Sequence, residues 1–180
     1  KVIEDCAQAP GAMYHERYAG TVADIGVFSL NYHKHIHTGE GGVCVTRDPR
    51  LAERLQLIRN HAEAVVEDKG VQDLSNMIGF NFRMTEIEAA IGLEQLKKLN
   101  TLTSRRIAVA DCLSAGIRGL KGLRPPVVKK DCTHVYYVYP LLYRPEVTGI
   151  PRDRVFRALA AEGVPVSNRY TNIHLLPVYQ

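Results

Sequence analysis

From Thr85 to Ala115 the chain contains no proline and one glycine, Gly92, before Gly116 closes the stretch. Thr85 and Glu88, three residues apart, form a capping box, in which each side chain satisfies a backbone donor left open by the first helical turn. The spacing predicts a helix over about residues 85–115, roughly 45 Å long at about 1.5 Å per residue. A helix of that length commonly joins two lobes. The expected division, with its boundary near Leu102, is a first domain of residues 1–101 and a smaller second domain of residues 102–180. With 180 residues, 46% hydrophobic and 23% charged, the chain has ordinary α/β composition and material for one core.

Ahead of the helix, Val2-Ile3, Ile25 to Phe28 and Val43 to Val45 read as short strands joined by glycine-containing turns. Strands that end in polar residues, as the first two do at Glu4-Asp5 and Ser29, present them along one sheet edge. Asp48-Pro49 supplies an N-cap and a proline at the first helical position, with Leu51, Leu55 and Ile58 at helical spacing, so a helix runs to about Asn60. Residues 62–83 lack periodicity and read as a loop. Beyond Gly116, Val135, Tyr137 and Tyr139 alternate as in a strand, and Pro151 with Gly163 brackets a further helix. This part is a small α+β lobe, unfinished at Gln180.

Lys plus Arg total 23 against 19 Asp plus Glu, but the signs are interleaved and no basic block suggests nucleic acid binding. No apolar run is long enough to span a membrane. Cys6, Cys44, Cys112 and Cys132 are widely spaced, which suits reduced thiols in the cytoplasm. The chain opens at Lys1 directly onto a strand-like run, so a segment of a longer protein is expected.

Four clusters carry residue types suited to chemistry. Asp5-Cys6-Ala7-Gln8 follows the first strand, where a carboxylate beside a small methyl suits a flat ring; a turn or cap is the bland alternative. Ser29 lies just past a strand, where its hydroxyl can donate to a phosphate. Lys34 follows it, and a partly desolvated lysine is a competent amine nucleophile, although most lysines are surface charges. His33, His35 and His37 would align only in an extended segment, and the glycine-rich flanks favour hydrogen-bonded or solvated histidines over a metal site. Asn81 and Arg83 precede the capping box, where a helix N-terminus favours anions; Asn81 turning the chain into the helix and Arg83 pairing with a nearby carboxylate would also account for them.

The order and spacing of Val2 to Gln8 (VIEDCAQ), Gly20 to Leu30 (GTVADIGVFSL), Lys34, Thr38 to Gly42 (TGEGG), Arg59-Asn60-His61 and Gly79 to Gly92 (GFNFRMTEIEAAIG) resemble one family. It is the DegT/DnrJ/EryC1/StrS family of sugar aminotransferases, a branch of the fold-type I enzymes that use pyridoxal 5'-phosphate (PLP). The resemblance implies the C-terminal part of a large PLP-binding domain, with a mixed, mostly parallel sheet and helices, followed by part of a small α+β domain. It also implies that Asp5 pairs with the pyridine nitrogen, Gln8 bonds the ring hydroxyl, Ala7 packs on a ring face and Ser29 binds the cofactor phosphate. Lys34 would hold the cofactor as a Schiff base and move protons. Asn81 would reach the phosphate of the neighbouring subunit's cofactor, giving a homodimer with shared active sites.

Ile173 to Tyr179 is similar to a small-lobe segment near the family's sugar site, with His174 either a substrate neighbour or a packing residue. The residues flanking Lys34, Asn31 to His33 and His35 to His37, depart from the family's usual pattern. The family's front half, which supplies most of the phosphate site, is absent from this chain. The implied reaction moves an amino group, with glutamate as donor, to a nucleotide-linked keto-sugar in deoxyamino-sugar or surface-polysaccharide biosynthesis. The alternatives are a PLP-dependent sugar dehydratase, whose family members carry histidine where Lys34 stands, and a non-catalytic regulatory or binding protein of the same fold.

Overall fold

The computed structural model describes residues 1–63, 77–167 and 171–180. Strands β1 (Ile3–Asp5), β2 (Met13–Tyr14), β3 (Arg17–Tyr18), β4 (Ile25–Ser29) and β5 (Gly42–Val45) precede helices α1 (Pro49–Arg59) and α2 (Glu86–Ile117). After them come β6 (Leu123–Arg124), β7 (Leu142–Tyr143), α3 (Pro145–Thr148) and α4 (Arg152–Ala161). The central sheet has three strands in the order β1-β4-β5. Strands β1 and β4 are parallel, with Asp5 opposite Val27, whereas β4 and β5 are antiparallel. The sheet is therefore mixed, as expected, with one pairing of each kind. The segment entering β4 lies close against it because Gly20 adopts φ 88° and a Cβ at Gly26 would strike the Gly20 backbone.

Both helix starts follow their sequence signals. Asp48 caps α1 by accepting from the Arg50 N–H at 2.9 Å, and Asn60 closes the helix. At α2, Glu88 Oε2 accepts from the Thr85 N–H at 2.8 Å, and Thr85 Oγ1 accepts from the Glu88 N–H at 3.2 Å, so the capping box is complete. The helix is 32 residues long, close to the predicted length. Helix α4 lies between Pro151 and Gly163, as expected. Residues 64–76 of the loop expected over 62–83 fall outside the described residues; the rest carry an isolated bridge from Asn60 to Asn81 and no helix.

The strand expected at Val135, Tyr137 and Tyr139 does not form. Tyr136 adopts φ 49°, its N–H donates to His134 Nδ1 at 2.8 Å, and its carbonyl accepts from Arg106 at 3.2 Å. The groups that a ladder would need are thus already committed, and the left-handed residue breaks the two-residue period.

The chain comprises two compact units: Lys1–Leu113 with Val127–Tyr139, and Ser114–Pro126 with Pro140–Gln180. The division falls on α2, later than Leu102, and returns a later segment to the first unit. That segment is tied to the β2–β3 hairpin by a Tyr14–Cys132 bridge and by Thr133 N–H donating to the Met13 carbonyl at 2.9 Å.

The first unit holds the buried apolar residues, among them Cys6, Leu30, Ile36, Leu57, Ala110 and Val135. It also contains an apolar cavity of about 790 Å³ bordered by Phe28, Ser29, Leu30, Met84, Leu93 and Leu96. In the second unit, β6 pairs with β7, and the Tyr143 hydroxyl donates to the Ile150 carbonyl at 2.7 Å. Among the described residues no helix is long and apolar enough to cross a membrane.

Candidate functional site

Glu4 and Asp5 are consecutive in β1, and the pleat sends their side chains to opposite faces. Glu4 accepts from the backbone N–H groups of Gly20, Val22 and Ala23 at 2.8, 2.7 and 2.6 Å. Burial alone would raise its pKa, but these three donors outweigh it and hold the carboxyl below its ordinary value. Glu4 thereby fastens the loop before β4 to the strand that carries Asp5. Asp5 itself is exposed at the strand end, with Oδ1 accepting from the Ala7 N–H at 3.1 Å. This Asx turn places half-buried Ala7 and exposed Gln8 directly beyond the same sheet edge. Because β1 and β4 are parallel, Ser29 ends its strand on that edge as well.

The chain leaves Ser29 through a turn organised by Asn31. Ser29 Oγ accepts from the Asn31 N–H at 3.3 Å, Asn31 Oδ1 accepts from the His33 N–H at 3.1 Å, and the Asn31 carbonyl accepts from the Lys34 N–H at 2.9 Å. Asn31 Nδ2 donates to Glu40 Oε1 at 2.8 Å, tying the outgoing and returning limbs. Lys34 is half-buried, and its Nζ lies 4.6 Å from the centroid of the Tyr137 ring.

The three histidines separate into different roles. His33 packs on Tyr32, with ring centroids 3.8 Å apart. His35 is buried, and its Nε2 donates to the Val135 carbonyl at 2.8 Å. Burial lowers its pKa, so the ring is held neutral with the proton on Nε2. The Nδ1 atoms of His35 and His37 are buried without a hydrogen-bond partner. Among the described residues no three His, Cys, Asp or Glu side chains gather as a metal cluster.

Asn81 is bridged to Asn60 at the end of α1, and Arg83 donates to Asn60 Oδ1 at 2.8 Å, a polar partnership with an amide instead of a carboxylate. His174 belongs to the second unit, where it sits exposed in a short 3-10 turn, Ile173–Leu175, and its carbonyl accepts from Gln180 at 2.6 Å. The first unit thus brings Asp5, Ala7, Gln8 and Ser29 to one sheet edge, with Lys34 on the turn that follows. Glu4 and Tyr137 were not singled out by the sequence reading. The adjacent acids Glu4-Asp5 and the aromatic run at 136–139 were the available signals, but nothing in them ties Tyr137 to Lys34 across about 100 residues of chain.

The donor set fits PLP. A carboxylate suits the ring nitrogen, a carboxamide the ring hydroxyl, a hydroxyl the phosphate, and a half-buried amine the carbonyl carbon.

Comparison with known proteins agrees. Residues 1–180 match the DegT/DnrJ/EryC1/StrS aminotransferase family. The chain is 36% identical to GDP-perosamine synthase of Escherichia coli O157:H7, over 99% of this chain and 46% of that protein. It is 34% identical to L-glutamine:2-deoxy-scyllo-inosose aminotransferase of Streptoalloteichus tenebrarius, over 99% of this chain and 44% of that protein. The crystal structure of S. venezuelae DesV in complex with a ketimine intermediate superposes with a TM-score of 0.84 at 32% identity, covering 98% of this chain and 45% of that one. The chain spans less than half the length of these relatives, and its α/β fold is that of the fold-type I aminotransferases.

Proposed function

The chain belongs to the DegT/DnrJ/EryC1/StrS aminotransferase family, and from that premise we propose that the protein carrying it transfers an amino group to a nucleotide-linked keto-sugar. The observation that carries this reading is the half-buried Lys34 amine on the turn leaving Ser29, at the sheet edge where Asp5 ends the parallel strand. Glutamate is the proposed donor, and deoxyamino-sugar or surface-polysaccharide biosynthesis the proposed setting. The name of the Escherichia coli relative supports a nucleotide-linked product.

When bound, PLP supplies an electron sink for the carbon that loses its proton and a carrier for the amino group. Asp5, at the strand end, would pair with the ring nitrogen and keep it protonated. Gln8 would bond the ring hydroxyl, Ala7 would pack on a ring face, and Ser29 Oγ would donate to the phosphate. Lys34 would hold the cofactor through Nζ, and when free the same Nζ would take the proton from the donor's α-carbon and deliver it onward. Because the deaminated donor would leave before the keto-sugar takes up the retained amino group, ping-pong kinetics are expected.

We assign the first unit to the PLP-binding large domain and the second to the small domain. Asn81 is assigned to the phosphate of the partner subunit's cofactor in a homodimer with shared sites, and His174 to the neighbourhood of the sugar. Free Cys6, Cys44, Cys112 and Cys132 suit a reducing, cytoplasmic setting.

The test is to supply the protein with PLP, glutamate and a panel of nucleotide-linked keto-sugars. Equal amounts of 2-oxoglutarate and amino-sugar are expected. Loss of a sugar hydroxyl without retained nitrogen would instead identify a dehydratase, and failure to bind PLP would identify a non-catalytic protein of this fold.

A further inference from the structure

We propose that Tyr137 is a positioning residue for Lys34, its ring face holding the lysine amine whenever that amine is not bonded to cofactor. The proposal rests on the assignment of Lys34 made above.

The contact joins residues about 100 positions apart, and the segment that delivers the ring is tied down at both ends. At its start, His15 N–H donates to the Asp131 carbonyl at 2.8 Å, Met13 N–H donates to Thr133 Oγ1 at 2.8 Å, and Thr133 N–H returns to the Met13 carbonyl at 2.9 Å. Nearer the ring, Val135 and Tyr136 are buried, and Arg106 from α2 holds the Tyr136 carbonyl. The left-handed backbone at Tyr136 then breaks the alternation, burying Tyr136 and leaving Tyr137 to meet Lys34.

From the other side, His35 is the residue after Lys34, and its Nε2 donates to the carbonyl of Val135, two residues before Tyr137. The segments that carry Lys34 and Tyr137 are therefore pinned to each other by a buried hydrogen bond between their neighbours, and the approach does not depend on two loose side chains meeting.

A ring face suits this task. It attracts an ammonium through its quadrupole without taking a directed hydrogen bond from it. The lysine stem is confined near the strand-end edge, while each N–H remains available for proton transfer. A carboxylate in the same place would hold the amine by its protons and oppose its departure.

The test uses the complete protein carrying this chain, as wild type, Tyr137→Phe and Tyr137→Leu. The first readout needs no turnover: the cofactor-free protein is treated with a limiting amine-reactive ester, and labelling of Lys34 is measured by mass spectrometry against exposed Lys98 and Lys121. The phenylalanine variant should label within about twofold of wild type, and the leucine variant roughly three- to tenfold faster. The second readout is kinetic: kcat should fall in the leucine variant with KM for the keto-sugar unchanged, and phenylalanine should recover most of the loss.

Equal Lys34 labelling in all three proteins would overturn the proposal. Should the leucine variant not fold, singly to multiply fluorinated phenylalanines at position 137 replace it. Labelling that rises with each fluorine supports the ring-face contact, and labelling that does not change overturns it. Borohydride trapping on PLP-loaded, unlabelled portions of the same proteins separates the two readings. Cofactor on another lysine removes the basis of the proposal, whereas cofactor on Lys34 with flat labelling overturns the role of Tyr137 alone.

Discussion

The two units differ in how far each is completed by its own residues. The first buries apolar side chains from the segments that follow β1 and β4, from α1 and α2 and from the returning segment at Val135 and Tyr136. The second buries none among its described residues: α4 has no buried position, and Ile173 and Val178 are 63% and 79% exposed. Lys34 is consequently placed by contacts within the chain. His174 stands in a turn held by local bonds, and its assignment to the sugar rests on resemblance. A residue fixed by a packed core can be tested as chemistry, and one on an open surface is tested first as binding.

The sharpest contrast comes from the lysine. Lys34→Ala in the complete protein should lower kcat/KM by at least about 1,000-fold, since both cofactor attachment and proton transfer are lost. Thermal unfolding of the cofactor-free protein should barely change, because the amine's contact is a single ring face. A large loss of cofactor-free stability with modest loss of activity would make Lys34 a structural residue.

Asp5→Asn comes next. Loss of the charge-assisted bond to the ring nitrogen should lower kcat by roughly ten- to a hundredfold, read in stopped-flow half-reactions with glutamate. Unchanged half-reactions would remove Asp5 from the site.

The adjacent Glu4→Gln should do the reverse, sparing kcat while lowering stability by about 1–2 kcal/mol, because a carboxylate is lost from three backbone donors at a partly exposed site. The Glu4 carboxyl is held below its ordinary 4.5. The stability it adds is present in full above about pH 4.5 and is lost as pH falls through its lower folded-state value. Urea unfolding between about pH 3 and pH 7 should therefore show the wild-type advantage over Glu4→Gln shrinking toward acid. An advantage independent of pH would contradict the carboxylate's role.

The smallest effect is expected in the second unit. His174→Ala should raise KM for the sugar by about two- to tenfold, the worth of one ordinary hydrogen bond, and leave kcat unchanged. A fall in kcat as large as that of Asp5→Asn would erase the distinction between the units.

The sequence signals were strongest where structure is local. Asp48-Pro49 and the Thr85–Glu88 box each act within one helical turn, and both caps form as the residue types dictate. Asp5 and Ser29 could be placed on one edge because each ends an apolar strand run, and the parallel pairing followed. The failures were tertiary. The alternation at Val135, Tyr137 and Tyr139 is a true two-residue pattern, but neighbouring His134 takes the Tyr136 N–H and Arg106, from outside the local window, holds its carbonyl. Nothing in the composition of the same segment reveals that Thr133 bonds to Met13. His33, His35 and His37 looked equivalent by spacing, and only burial and the Val135 carbonyl distinguish His35.

The proposed anchoring of the cofactor by Lys34 is tested directly by chemical trapping. The complete protein is loaded with PLP, reduced with borohydride, digested and mapped by mass spectrometry. A pyridoxyl mass on Lys34, absent from a Lys34→Ala control, is the predicted result; the label on any other lysine would contradict it.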